Sequence, residues 1–162
     1  MGKATTAKAL LLTATQDLYD AECALRERLS EPVKASSDET LVAALTDYAE
    51  AAAKRADGLS GIAEALDGKA KDAPNIWMRA VLDDAARDAN TVEPGPLLDI
   101  ALVGAIRKGA QAARVSYETA LALAGRAKRK AMATEFEGMR DAHSAMDRRL
   151  AARLRKLVAG LD

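Results

Sequence analysis

The sequence is poor in the residues that build sheets, disulfide frameworks and membrane spans. Aromatic residues make up 3% of its 162 residues, and Cys23 is its one cysteine. Strands favour aromatic and β-branched side chains, so their scarcity argues against a sheet. A lone cysteine excludes an internal disulfide framework and is compatible with a reducing compartment. The longest apolar runs, such as residues 9–12, are far too short to span a bilayer.

The chain also lacks net charge and a secretory leader. Its 24 basic residues balance its 24 acidic residues, which removes the electrostatic argument for nucleic acid as an obligatory partner. The N-terminus has a lone early lysine, Lys3, and no apolar segment or cleavage site of a signal peptide. We therefore expect a cytoplasmic protein that binds neither a membrane nor nucleic acid.

Helix-forming residues are abundant instead. The apolar fraction is 49%, and alanine, the best helix former, supplies much of it. The length is that of one domain with a substantial core. We predict an all-α protein with a single helical-bundle domain over residues 1–162.

Apolar spacing predicts four long helices and one short helix. The first covers about residues 6–29 and ends near Pro32. The second begins at a capping-box pattern over residues 36–39 and ends with Gly68 as its C-terminal cap. Its inward stripe passes through Ala56 or Arg55, two alternatives that the spacing leaves open.

The remaining helices follow a long connection. A short helix covers about residues 76–89, the third long helix begins at Pro96 and stops near Gly125, and the fourth follows. One long crossover is the connectivity of ferritin-like bundles, so we predict a ferritin-like four-helix bundle whose crossover carries a short extra helix. The apolar stripe of the fourth helix is Met132, Phe136, Met139, His143, Met146, Leu150, Leu154, Leu157 and Leu161.

Three polar residues interrupt the apolar stripes. Glu22 lies on the inward face of the first helix, Tyr48 on that of the second and His143 on that of the fourth. A buried carboxylate needs polar partners, a raised pKa or a metal, and antiparallel packing would bring the three residues to one level. The alternatives are a carboxylate at the edge of the buried face, a hydrogen-bonded core histidine and a packing tyrosine.

The third long helix argues against a complete dinuclear metal site. Such a site needs inward glutamate and histidine side chains at close helical spacing. At the corresponding level the inward positions are Ala110 and Ala113, which offer no ligand.

Three segments together resemble one known family. They are residues 17–22 (Asp-Leu-Tyr-Asp-Ala-Glu), residues 59–66 (Leu-Ser-Gly-Ile-Ala-Glu-Ala-Leu), and residues 95–103 (Gly-Pro-Leu-Leu-Asp-Ile-Ala-Leu-Val) with 117–120 (Tyr-Glu-Thr-Ala). On these segments the chain resembles the YciE/YciF family of bacterial ferritin-like proteins. The resemblance implies a ferritin-like bundle, a homodimer and a loose association with stress responses.

The same resemblance implies that most metal ligands are missing. Glu22 is kept and Asp147 matches an acidic position, while His143 falls near a family glutamate. Tyr48 stands where the family has histidine, with Glu50 two residues on. The third-helix ligand positions hold Ala110, Gln111 and Ala113.

We therefore predict a non-catalytic ferritin-like protein with no cofactor, whose remnant polar core is Glu22, Tyr48 and His143. The alternative is a metal-binding or redox protein that uses an atypical site for iron, manganese or zinc. Its candidate ligands are Glu22, Glu50, His143 and Asp147. Of these, His143 and Asp147 lie one turn apart on the fourth helix, a spacing at which two side chains can bind one metal.

Three further features have two interpretations each. The basic C-terminal helix is either a solvated face or a surface for nucleic acid or an acidic partner; its residues include Arg148, Arg149, Arg153, Arg155 and Lys156. Cys23 lies off the main stripe, where it could be exposed, but nothing in the sequence activates it. Trp77 is either an anchor of a dimer interface or a plug at one end of the bundle.

Overall fold

The computed structural model describes residues 3–72 and 74–161, which form helices and, within those ranges, no strand. The predicted all-α bundle with a helix in its crossover is confirmed. The helices are α1 (Ala7–Arg28), α2 (Ser30–Ala35), α3 (Glu39–Ala65), α4 (Ile76–Thr91), α5 (Pro96–Arg126) and α6 (Lys130–Ala159).

Contacts between helix ends fix the directions of the four long helices. Lys8, at the start of α1, pairs with Asp67, just after α3, at 2.6 Å. Arg153, near the end of α6, pairs with Asp38 at the start of α3. Asp99, in the first turn of α5, also reaches the start of α3. Helices α3 and α5 therefore run parallel to each other and antiparallel to α1 and α6.

Helix α4 lies in the crossover and packs on α1 and α5. At its start, the Nε1 of Trp77 donates to Asp17 at 2.9 Å. Further along, Arg28 pairs with Asp83 at 2.7 Å and Lys108 with Asp84 at 2.9 Å. Gly109 of α5 lets the two helices approach closely, since a Cβ there would meet side chains of α4 at 3.1 Å. The crossover is thus a packed layer.

Several predicted helix ends differ in detail. Pro32 does not end the first helical segment; it lies in the first turn of the short helix α2, where its missing N–H costs nothing. The residue with left-handed backbone after α3 is Asp67 (φ 61°) and not Gly68, although the amide of Gly68 still bonds back to Ala63 at 3.0 Å. Leu161 follows α6 and is exposed, because the helix stops at residue 159.

The start of α3 is capped differently from the prediction. Asp38, rather than a serine, is the N-terminal cap, and its carboxylate accepts from the amide of Leu41 at 2.7 Å. The two serines before it are bonded to α5 instead. Asp99 accepts from both serine hydroxyls at 2.6 Å and from the amide of Ser37 at 3.0 Å. These bonds, which we call the Asp99 clamp, join the start of α3 to that of α5.

We expect Asp99→Ala to lower the free energy of unfolding by about 2 kcal/mol, because the three donors of the Asp99 clamp lose their buried acceptor. Denaturant unfolding followed by circular dichroism measures the change. Asp141→Ala is the matched control, since Asp141 is exposed on α6, and its expected change is within about 0.5 kcal/mol. Equal changes in the two variants would contradict a structural role for the clamp.

Among the described residues, no helix combines the length and apolar character needed to cross a bilayer.

Candidate functional site: a buried polar core

Five polar side chains meet at the centre of the bundle, where the four long helices face one another. Glu22 comes from α1, Tyr48 and Arg55 from α3, Tyr117 from α5 and His143 from α6. All five are buried; Glu22 is 1% exposed and His143 is not exposed. We call this cluster the polar core.

A chain of hydrogen bonds connects four members of the polar core. The hydroxyl of Tyr48 lies 2.5 Å from Nδ1 of His143, and Nε2 of His143 lies 2.7 Å from Oε1 of Glu22. The hydroxyl of Tyr117 donates to the same Oε1 at 2.8 Å. The neutral imidazole with its proton on Nε2 satisfies every bond, since Tyr48 then donates to Nδ1 and His143 donates to Glu22.

Arg55 provides a positive charge opposite the other carboxylate oxygen. Its Nη2 lies 2.9 Å from Oε2 of Glu22, without the alignment of a hydrogen bond. We therefore treat the contact as an ion pair, in which distance matters more than direction. The guanidinium also lies over the ring of Tyr48, 5.2 Å from its centroid, an arrangement in which a cation and a ring attract each other. Glu22 and Arg55 together make the core electrically neutral.

The pKa values follow from this arrangement. Burial alone would raise the pKa of Glu22, but its interactions with His143 and Arg55 outweigh burial and lower the pKa to about 2. Burial would likewise lower the pKa of Arg55, and Glu22 reverses this and raises it. Burial, reinforced by the charge of Glu22, raises the pKa of Tyr48 and of Tyr117. Glu22 and Arg55 are therefore charged, and both tyrosines are neutral phenols.

The structure brings together the three residues of the predicted remnant polar core and leaves the other candidate ligands apart. Glu50 is exposed on α3. Among the described residues, Asp147 forms no hydrogen bond or ion pair with His143; it pairs with Arg107 at 2.6 Å and accepts from Gln111 at 3.3 Å. Asp147 thus faces α5 in this structure, whereas His143 bonds to Glu22 of α1 and Tyr48 of α3.

Two members of the polar core, Arg55 and Tyr117, were not predicted as such. The stripe of α3 left Arg55 and Ala56 as alternatives, and both are buried. Arg55 is seven residues after Tyr48, two helical turns along the same face, and this was the available signal. Tyr117 lies one helical turn after Ala113, on the predicted inward face of α5, where a buried hydroxyl needs a partner. Ala110 and Ala113 are buried as predicted.

The structure also shows the environments of Cys23, Trp77 and the basic residues of α6. Cys23 is buried, although its position off the main stripe was compatible with exposure, and burial raises the pKa of its thiol. Trp77 is half-buried against the core of its own chain, and its Nε1 donates to Asp17 of α1. On the basic helix α6, Arg149 pairs with Asp47 at 2.9 Å and Arg153 with Asp38. Part of its basic charge is therefore balanced within the chain.

The segments that carry the family resemblance have structural roles. In residues 17–22, Asp17 accepts from Asn75 and Trp77, and Asp20 accepts from the Asn75 amide at 2.6 Å and from Arg79. These bonds attach the start of α4 to α1. In residues 95–103, Asp99 forms the clamp described above. Only Glu22 and Tyr117 belong to the polar core.

A comparison with protein families decides the assignment. The sequence profile of a family described as "Domain of unknown function (DUF892)" matches residues 6–160. The chain belongs to this family. The resemblance to the YciE/YciF family is confirmed with it. A search of curated proteins finds no significant match to this DUF892 chain.

Solved structures support the fold of this DUF892 protein. The crystal structure of the Escherichia coli stress protein YciF is similar, with a TM-score of 0.92 and 21% identity, over 98% of this chain and 100% of that one. YcfI from Rhodopseudomonas palustris gives a TM-score of 0.86 at 20% identity, over 91% of this chain and 94% of that one. At these identities the likeness establishes the ferritin-like fold.

Proposed function

We propose that this DUF892 protein is a non-catalytic ferritin-like protein in which an internal ion pair takes the place of a dinuclear metal site. The supporting observation is the guanidinium of Arg55 at 2.9 Å from Glu22. A metal ion bound by Glu22 would bring a second positive charge beside Arg55, and repulsion between two buried cations is costly.

The remaining donors fit a metal poorly. A dinuclear carboxylate site draws ligands from several inward glutamate and histidine side chains. Here Oε1 of Glu22 already accepts from His143 and Tyr117, and the described residues contain no group of three or more carboxylate, histidine or cysteine side chains arranged for a metal. The alternative is the metal-binding or redox protein built on Glu22, His143 and Asp147, for which Asp147 would have to leave Arg107.

Metal content tests the proposal. We expect protein incubated with iron(II), manganese(II) or zinc(II), and then desalted, to contain well below one metal per chain by elemental analysis, because Arg55 already neutralises Glu22. One or two metals per chain would overturn the proposal. In that case Glu22→Gln should abolish the binding, whereas the exposed control Glu50→Gln should leave it unchanged.

The physiological setting is part of the proposal. The stress association in the name of the similar Escherichia coli protein is carried over here as a hypothesis, together with a cytoplasmic location. The homodimer implied by the family resemblance stays a prediction. Its best candidate contact is Ile76, which is 85% exposed beside Trp77.

A further inference from the structure

The short contact between Tyr48 and His143 is suited to moving a proton. The phenol oxygen and Nδ1 are 2.5 Å apart, and both side chains are almost completely buried. Within the described residues, the hydroxyl of Tyr48 has no other hydrogen-bond partner. Its proton can therefore leave the oxygen directly only by crossing to His143.

Loss of one electron makes such a transfer favourable. An oxidised phenol is a far stronger acid than a phenol, so its proton goes to a neighbouring base if one is in contact. Nδ1 of His143 is that base, because Nε2 holds the ring proton in its bond to Glu22. The resulting imidazolium keeps the charge-assisted bond to the Glu22 carboxylate.

Arg55 makes the proton transfer necessary. Its cation lies over the Tyr48 ring at 5.2 Å, and a ring that lost an electron while keeping its proton would carry a second positive charge there. Coulomb repulsion in a buried site disfavours that species. Only the neutral phenoxyl radical, formed when the proton leaves with the electron, avoids this repulsion on the ring.

Tyr117 is less well placed to react. Its hydroxyl donates to Oε1 of Glu22, which also accepts from His143. This carboxylate is a weak base, because its pKa is about 2. The two buried tyrosines thus have different proton acceptors, and only Tyr48 has a basic one.

We propose that Tyr48 is a redox-active tyrosine that gives one electron to a diffusible radical oxidant while its phenolic proton moves to Nδ1 of His143. The phenol O–H bond breaks and an N–H bond forms on the imidazole. Tyr48 becomes a neutral phenoxyl radical, His143 becomes an imidazolium, and the oxidant, such as an organic peroxyl radical, is reduced by one electron to its anion. A later one-electron reductant, such as a thiolate, reduces the phenoxyl radical and is itself oxidised to a thiyl radical, while the proton returns from Nδ1 of His143 to the Tyr48 oxygen.

An electron can leave the buried Tyr48 without the oxidant entering the bundle. Each helix is about 10 Å across with its side chains, a distance that an electron can tunnel while the radical stays outside. Tyr48 is 2% exposed, so its phenoxyl cannot couple with a second protein molecule. The polar core would thus act as a one-electron sink, a role that goes beyond the metal-free core proposed above and needs no metal.

Oxidation by azide radicals tests the proposal on the full chain, in the presence of a chelator. Pulse radiolysis should give a long-lived neutral tyrosyl radical, followed by its absorption and by electron paramagnetic resonance. Tyr48→Phe should remove the long-lived signal, and the control Tyr19→Phe should keep it. His143→Gln, which supplies an acceptor but no base, should slow its formation about a hundredfold, the lower range of what a positioned base contributes.

Circular dichroism shows whether each variant is folded, and a measurement on the wild type does not depend on folding of a variant. In D₂O the wild-type radical should form more slowly, because a proton moves in the same step. A long-lived signal that survives Tyr48→Phe, or equal rates in both solvents, would overturn the proposal. The chelator separates this result from the question of metal content.

Discussion

Replacing Glu22 by glutamine is expected to lower the free energy of unfolding by about 3–5 kcal/mol, because it leaves Arg55 buried without a compensating charge. The change is nearly isosteric, so cavity formation contributes little. The hydrogen bonds from His143 and Tyr117 are also weakened, because their acceptor is now the neutral oxygen of an amide. Denaturant unfolding measures the effect.

Two comparisons separate the charge effect from a general weakening. The exposed pair of Arg114 and Glu118, at 2.7 Å, provides a control, since Glu118→Gln should change stability by less than about 1 kcal/mol. Adding Arg55→Met to Glu22→Gln should restore most of the loss, because the double variant no longer buries an uncompensated charge. If Glu22→Gln were stabilising alone, the buried ion pair would not support the fold.

Stability should also fall in acid, between pH 4.5 and about 2. Glu22 has a pKa of about 2 in the folded chain, against 4.5 for an unperturbed glutamate. A depressed folded-state pKa stabilises the protein above the unfolded pKa, and that contribution disappears as the pH falls toward the folded pKa. The difference corresponds to about 3 kcal/mol.

Unfolding free energies at a series of pH values isolate this contribution. The wild type should lose more stability than Glu22→Gln over the same interval, since the amide does not titrate. Other carboxylates titrate in both proteins and cancel in the difference. Parallel pH curves for the two proteins would show that Glu22 is not held as a buried anion.

Helical periodicity predicts much of this fold. The stripes of α5 and α6 correctly place Ala110, Ala113, Phe136 and Leu150 in the core. They succeed because a long amphipathic helix repeats its inward face every three or four residues. Helix ends are harder to predict from periodicity, since Asp67, which has left-handed backbone, and the cap residue Asp38 both pair with side chains of other helices.

The polar core could be predicted only in part. Periodicity places Glu22, Tyr48 and His143 inward, but it does not distinguish Arg55 from Ala56, which lie on either side of the stripe centre. Glu50 is about 200° around the helix from Tyr48, and Asp147 is about 40° from His143, toward α5. These angles decide which neighbouring helix a side chain contacts, but the sequence of one helix does not say where its neighbours lie.

The placement of the polar core across four helices also has a consequence for folding. His143 and Glu22 are 121 residues apart in sequence, so their bond can form only after both halves of the chain have met. A slip of α6 by one turn along α1 would move the imidazole about 5.4 Å from the carboxylate and break its hydrogen bonds to Glu22 and Tyr48 in the core. The five side chains therefore act as a register mark that favours one alignment of the helices, whereas the alanine-rich surfaces around them would tolerate several.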